Sequence, residues 1–202
     1  NANEVTIEQC LNHTTGIREY MDESVQGGIF SGTIAKYSAI QNLALIYDKP
    51  SDFPIGKVNY SNTNYLLLSE IIRIITSKSA YQAVTELVIS PTKLPATFAS
   101  TILPVTLTQS YFESDGVMNN VTRLDNNAIG GEGVLDGGMI ATSHDVALFL
   151  ESLLKGKVIS QSSLNKMQTF KDIDPNTLPE DLQYYKQYGL GLMKIETEHG
   201  TA

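Results

Sequence analysis

The most apolar run of the chain is NTNYLLLSEIIRIIT, residues 62–76, entered through the segment Lys57-Val58-Asn59-Tyr60-Ser61. At helical spacing, only Leu66, Glu70, Arg73 and Ser77 form a mainly polar stripe. Leu67, Leu68, Ile71, Ile72, Ile74 and Ile75 cover the remaining faces. A helix apolar over most of its circumference is expected to be central and buried. Turn-forming SDFPIGK at 51–57 breaks the chain ahead of it.

Shorter helical signals flank this run. Thr6 and Gln9 have capping-box spacing and predict a helix that stops near Gly16. IREYMDESV reads as a further turn or two, ended by Gly27 and Gly28. Ile34, Tyr37, Ile40, Ala44 and Tyr47 recur at helical spacing and predict one apolar face. Ser79 and Gln82 open a helix that Pro91 should end. Thr142 and Asp145 open another over 142–155, with Val146, Phe149, Leu150 and Leu153 on its apolar face and Gly156 at its end. A short helix is expected near 160–170, and QYGLGLMKIE alternates as one strand near 187–196. Residues 91–136 read as irregular, and a loop of that length in a compact domain is usually functional or covers a cleft. The fold class is therefore mainly α with a small β component, α+β.

The 202 residues suffice for a sizeable core in one domain or two lobes. The net charge of −8, with Lys and Arg scattered and no basic run, argues against a nucleic-acid partner. No apolar stretch is long and uninterrupted enough to span a bilayer. Cys10 is the only cysteine, so no internal disulfide forms. His13, His144 and His199 are too dispersed for a metal set, and neither a metal nor another cofactor is expected. GGEGVLDGG at 130–138 lacks the Gly-Lys-Ser/Thr ending of a phosphate loop, so its glycines suit tight turns or close approach to a cleft.

The candidate chemistry lies at Tyr60 and Asn62. Two apart in extended backbone, their side chains leave on one side. Ser61 or Asn62 can accept the free N–H groups of the first helical turn. The field there favours negative charge, so a phenol can ionise more easily, or share its proton with an amine, and act as a general base. The competing reading makes Tyr60 a half-buried packing residue. Ser-x-x-Lys, a hydroxyl and an amine on one helix face, occurs at Ser90–Lys93, Ser152–Lys155 and Ser163–Lys166. Chance supplies about one such match, and all three read as coincidental. His13, at a helix end, reads as a satisfied structural histidine, and His144 as solvent-exposed.

In order along the chain, TIEQCLNHTTGI resembles the His-Thr-Ser-Gly segment of the serine β-lactamase-like and penicillin-binding protein family. That family includes class C β-lactamases, D-Ala-D-Ala carboxypeptidases and related esterases. YSNTNYLLLSEII resembles its Tyr-x-Asn motif, DGGMIATSHDVALFLESLLKGKVIS its Gly-Gly block, and YGLGLMKIE the strand before its last motif. The resemblance implies an incomplete β-lactamase/transpeptidase-like fold, with a helical lobe at 1–136 and part of an α/β lobe at 137–202. It implies a serine nucleophile acylated by an amide, ester or β-lactam carbonyl. Tyr60 would be the proton shuttle and Asn62 a partner of substrate and catalytic lysine, with Ser61, Gly137 and Gly138 binding substrate. Thr15 replaces the usual Ser, and Lys93-Leu94-Pro95-Ala96 stands where Leu-Gly-Met is usual.

The family's nucleophilic Ser-x-x-Lys precedes these blocks and its Lys/His-Thr/Ser-Gly follows them. The chain is thus expected to be an internal fragment of a hydrolase, inactive by itself. A small molecule or peptidoglycan peptide would be the parent's substrate, and an extracytoplasmic location is implied. The alternative is a non-catalytic ligand- or peptide-binding module derived from that fold. A strand at 187–196 short of its sheet partners would pair with its own copy, giving a homodimer, or else turn back on its own molecule.

Overall fold

Helices in this chain start where a side-chain oxygen meets the first free N–H groups. In the computed structural model, which describes residues 4–31, 38–99, 106–114, 116–122, 135–178, 182–198 and 200–201, reciprocal capping boxes open three of them. Thr6 and Gln9 open α1 (Ile7–Leu11), Ser38 and Gln41 open α3 (Ala39–Ala44), and Ser79 and Gln82 open α5 (Ala80–Val84). Asp22 caps α2 (Glu23–Phe30), which runs through Gly27 and Gly28 rather than ending there. Residues 17–22 stay out of that helix because their backbone bonds elsewhere: Tyr20 N–H donates to Thr63 Oγ1, whose hydroxyl donates to Arg18 O.

The long helix α4 (Asn62–Thr76) buries a different face from the one its apolar pattern predicts. Its buried positions are Thr63, Asn64, Leu66 and Ser69, whereas Ile74 and Ile75 are 68% and 74% exposed. Leu66, expected in the outward stripe, is fully buried in a core with Tyr20, Ala39 and Leu43. In α3 the expected stripe is likewise out of phase. Ile40, Ala44 and Tyr47 face solvent while Ala39, Asn42 and Leu43 are buried; Ile34 and Tyr37 lie outside the described residues.

Pro91 does not end its helix. After α5 the backbone widens into a π turn at Thr85–Ile89 and resumes as α6 (Ser90–Thr92), which contains the proline. The proline thus stands in the first turn of the resumed helix, where its missing N–H is tolerated. Lys93 then closes the segment in a left-handed conformation, φ 55°.

The stretch 91–136, expected to be irregular, contains strands. β1 (Phe98–Ala99) pairs with β4 (Met139–Ile140), and β2 (Tyr111–Ser114) forms a hairpin with β3 (Val117–Asn120). The Asp115-Gly116 dipeptide between β2 and β3 is a strong hairpin signal. Thr142 caps α7 (Ser143–Leu154), but Asp145 does not close a box. It is buried and accepts Ala96 N–H and the Thr97 hydroxyl, both at 2.8 Å, joining α7 to the end of the α5–α6 segment. Ser160 caps α8 (Gln161–Met167).

The single strand expected near 187–196 is two strands and a turn. β5 (Lys171–Asp172), β6 (Tyr185–Tyr188), β7 (Met193–Thr197) and β8 (Gly200–Thr201) form an antiparallel sheet in that order. Gly189-Leu190-Gly191 reverses the chain, with Gly189 N–H on Leu192 O. A Cβ at Gly189 would stand 2.3 Å from Met167 O. Gly191 N–H donates to Leu11 O, fixing the turn to α1. Among the described residues, β7 pairs with β6 over 193–195 and with β8 at Glu196 and Thr197. No helix of the described residues is long and apolar enough to cross a membrane.

Residues 13–16 are zipped to the loop at 52–59 by backbone bonds from Asp52 N to Gly16 O, Gly56 N to Thr14 O and Asn59 N to His13 O. Gly16 is the tightest point: φ is +71° and a Cβ would lie 2.0 Å from Phe53 O. Gly16→Ala is therefore expected to destabilise the chain by more than about 2 kcal/mol, from the left-handed backbone and the clash together. Denaturant unfolding at pH 7 checks it, and a loss within experimental error would refute the packing described.

Candidate active site

The segment 59–61, leading into α4, is held by one buried residue, and Ser61 is extended. His13 O accepts Asn59 N–H at 2.9 Å, and His13 Nδ1 accepts Ser61 N–H at 3.1 Å. Alternation then turns Ser61 inward, where it is fully buried, and leaves Tyr60 46% exposed and Asn62 half-buried. Ser61, expected among the substrate-binding residues and as the helix cap, does neither in this arrangement. It offers a ligand no surface, and its Oγ has no hydrogen-bond partner among the described residues.

Glu19 takes the capping role. Its Oε2 accepts Asn62 N–H at 2.5 Å, and its Oε1 accepts Met21 N–H at 2.7 Å and Asn62 Nδ2–H at 3.3 Å. The positive end of α4 is thereby occupied by a carboxylate. This reverses the expected electrostatics at Tyr60. Burial, then the charges of Glu19 and Asp136, push its phenol above the ordinary tyrosine range. Ionisation is harder here than the helix terminus alone would make it.

Aromatic rings complete the wall. His13 stacks on Tyr60 with centroids 4.4 Å apart and on Tyr65 at 5.1 Å, while Tyr188 meets it edge-on at 4.7 Å. His13 Nε2 lies 3.1 Å from the Tyr188 hydroxyl. Burial lowers the imidazole to about 4, so the ring is neutral at pH 7. An apolar cavity of about 380 Å³ opens beside Tyr60, walled by Asn59, Ile173, Tyr185, Tyr188 and Met193.

Gly137 and Gly138 belong to a strap pinned across α4. Leu135 N–H donates to Ser69 Oγ at 2.9 Å, and the Tyr20 hydroxyl donates to Asp136 Oδ2 at 2.5 Å. Burial, chiefly, holds the Asp136 carboxyl up at about 6. Residues 130–134 of the glycine-rich stretch, and His199, lie outside the described residues. His144 is exposed in the first turn of α7. The three Ser-x-x-Lys pairs stand elsewhere: Ser90 and Lys93 end α6, Lys155 pairs with Glu151, and Ser163 bonds Ser160. None of them lines the cavity at Tyr60. Among the described residues no group of three or more His, Cys, Asp or Glu could hold a metal ion. The contacts Glu19–Asn62, His13–Tyr188 and Tyr20–Asp136 leave no local pattern, because they join residues 43 to 175 positions apart.

A family model described as Beta-lactamase matches residues 1–199. Among solved structures, a D-stereospecific amidohydrolase from Streptomyces sp. superposes with a TM-score of 0.84 at 28% identity, over 99% of this chain and 59% of that one. The D-amino acid amidase from Ochrobactrum anthropi SV3, complexed with L-phenylalanine, gives 0.79 at 19% identity over 99% and 56%. A penicillin-binding protein from Bacillus halodurans gives 0.73 at 22% over 98% and 58%. These last two share the fold. The chain spans less than three-fifths of the length of each of the three.

The buried imidazole makes stability depend on pH. Its folded value, about 4, lies below the unfolded 6.5, so the unfolded chain takes up the proton first. The contribution is complete above about pH 6.5 and is lost as pH falls toward 4, amounting to about 3 kcal/mol. Asp136, held up to about 6, acts in the opposite sense over part of that window. The stability difference between wild type and His13→Asn cancels it. That difference is expected to shrink steadily from pH 7 to pH 4 in denaturant titrations; a flat difference would contradict the buried neutral ring.

Proposed function

The chain belongs to the beta-lactamase family of hydrolases, and from that premise we propose that it supplies the Tyr-x-Asn part of a serine hydrolase active site acting on amide carbonyls. The observation that supports this most is the half-exposed Tyr60 phenol, stacked on a buried imidazole at the wall of an apolar cavity, two residues before the half-buried Asn62 that opens α4. The nucleophilic serine and its lysine are taken to come from beyond these 202 residues.

In this scheme Tyr60 moves protons. Glu19 and Asp136 oppose its ionisation, so it becomes a base only when a cation stands beside it, and the lysine ammonium would be that cation. The serine hydroxyl then gives its proton to the phenolate as its oxygen bonds to the substrate carbonyl carbon. As the C–N bond breaks, the leaving nitrogen takes that proton from Tyr60. Water repeats the sequence on the ester, releasing the acid and restoring the serine. Asn62 orients the amide portion of the substrate and the lysine. Gly137 and Gly138 border the cleft, where their lack of side chains leaves room for the substrate backbone.

Amides of D-configured amino acids are the substrate class we favour over β-lactams. The amidohydrolase at 28% identity is D-stereospecific, and a further structural neighbour is a D-amino acid amidase. The apolar cavity beside Tyr60 suits an uncharged side group.

In the full-length protein, Tyr60→Phe is expected to lower kcat by about 10²–10⁴-fold on such amides, the usual worth of a general acid–base group. An unchanged kcat would remove Tyr60 from the chemistry. The 202-residue chain incubated with a fluorescent penicillin should carry no covalent label by mass spectrometry. Stoichiometric labelling at Ser90, Ser152 or Ser163 would place the nucleophile inside this chain.

A further inference from the structure

We propose that His13 is a positioning residue for Tyr60, acting as a neutral imidazole protonated on Nε2; the functional part of this rests on the hydrolase reading above. Among the ring contacts of the described residues, none stands closer to the phenol. Among the described residues no hydrogen bond is made to the Tyr60 hydroxyl, and Tyr60 is nearly half exposed. Its nearest ring contact is the His13 face, at 4.4 Å and 27° between planes, with Tyr188 standing off edge-on at 6.3 Å.

His13 in turn is fixed on every side. Its backbone is left-handed, φ 54°, and its side chain has no exposed surface. Nδ1 accepts Ser61 N–H at 3.1 Å and lies 3.2 Å from Asn64 Nδ2, so both groups present hydrogens to it and it carries none. The single proton of the neutral ring is therefore on Nε2, 3.1 Å from the Tyr188 hydroxyl oxygen, which accepts it. Tyr65 closes the other face at 5.1 Å. One residue thus sets Asn59 through its carbonyl, Tyr60 through its ring, and Ser61 with Asn64 through Nδ1. Because the ring contact uses no hydrogen bond, the phenol oxygen is fixed in place and still free to exchange its proton with substrate and nucleophile.

The test is His13→Asn. Asn tolerates left-handed backbone, and its carboxamide oxygen can take over the acceptor role of Nδ1 while the ring is lost. In the 202-residue chain labelled with ¹³C-tyrosine, with Tyr60 assigned by its absence in Tyr60→Phe, the wild-type phenol should titrate above the ordinary range. In folded His13→Asn it should move back toward the ordinary value. In the full-length protein kcat should fall by about 10²-fold, the effect of ångström-scale misplacement, with KM little changed. On the Tyr60→Phe background the same substitution should cost nothing further. A folded His13→Asn with unmoved Tyr60 titration, or kcat losses that multiply independently, would overturn the proposal. If His13→Asn does not fold, Tyr188→Phe keeps the ring and removes the hydroxyl that meets Nε2 and Tyr65. It should shift Tyr60 in the same direction by less, and an unmoved Tyr60 there overturns the proposal too. Failure of the hydrolase reading looks different: Tyr60→Phe would keep full turnover while His13→Asn still shifted the Tyr60 titration.

Discussion

The hydrogen bonds between residues 12–20 and the first turn of α4 are the constraint on which the rest of this structure depends. The Thr15 hydroxyl donates to Asn64 Oδ1 at 2.6 Å, the Thr63 hydroxyl to Arg18 O at 2.7 Å, Tyr20 N–H to Thr63 Oγ1 at 3.0 Å and Ser61 N–H to His13 Nδ1 at 3.1 Å. His13, Thr14, Thr15, Ser61, Thr63 and Asn64 are all buried. Burying such groups without partners costs on the order of 1–3 kcal/mol each, so the segment and the helix each need the other. A network of this kind admits one register, and that register fixes where Tyr60 and Asn62 emerge.

From that register follows the character of the cleft. The chain enters α4 with its polar side inward, which sends Tyr60 out against the His13 ring and leaves the helix terminus for Glu19 to cap. Two carboxylates, Glu19 and Asp136, then face a phenol that is itself hard to ionise. Such a site is electrostatically incomplete without a positive charge, and a catalytic lysine would complete it. The hairpin of β6 and β7 brings Tyr188 to the other edge of His13, so helical and sheet elements meet at one imidazole.

The strap at 135–138 and the Asp145 contacts are a second set of buried polar ties, each crossing between segments far apart in sequence. Ser69 on α4 receives Leu135 N–H, and Asp145 on α7 receives Ala96 and Thr97. The first of them holds Leu135, just before Gly137 and Gly138, on the same helix that Asn62 opens. These ties between segments are hydrogen bonds, whereas the cavity beside Tyr60 is apolar.

By itself the sequence determined what depends on a few neighbouring residues. The capping boxes at Thr6 and Ser79, the helix after Thr142, the extended entry to α4 at Ser61 and the family membership were all legible, because caps and extended entries are local geometry and motifs keep their order. Only the tertiary structure decided which faces are buried. The periodicity of α4 and α3 assigns apolar residues to the core, yet the network with residues 12–20 draws Thr63 and Asn64 inward, Leu135 meets a buried Ser69, and Ile74 and Ile75 are left in solvent. The same holds for Glu19 displacing Ser61 as cap, for the Gly189–Gly191 turn dictated by Met167 O, and for the raised Tyr60 phenol. Each depends on a partner dozens of residues away, and buried hydrogen bonds between distant segments outweigh local hydrophobic pattern because an unpaired buried polar group costs as much as a misplaced apolar side chain.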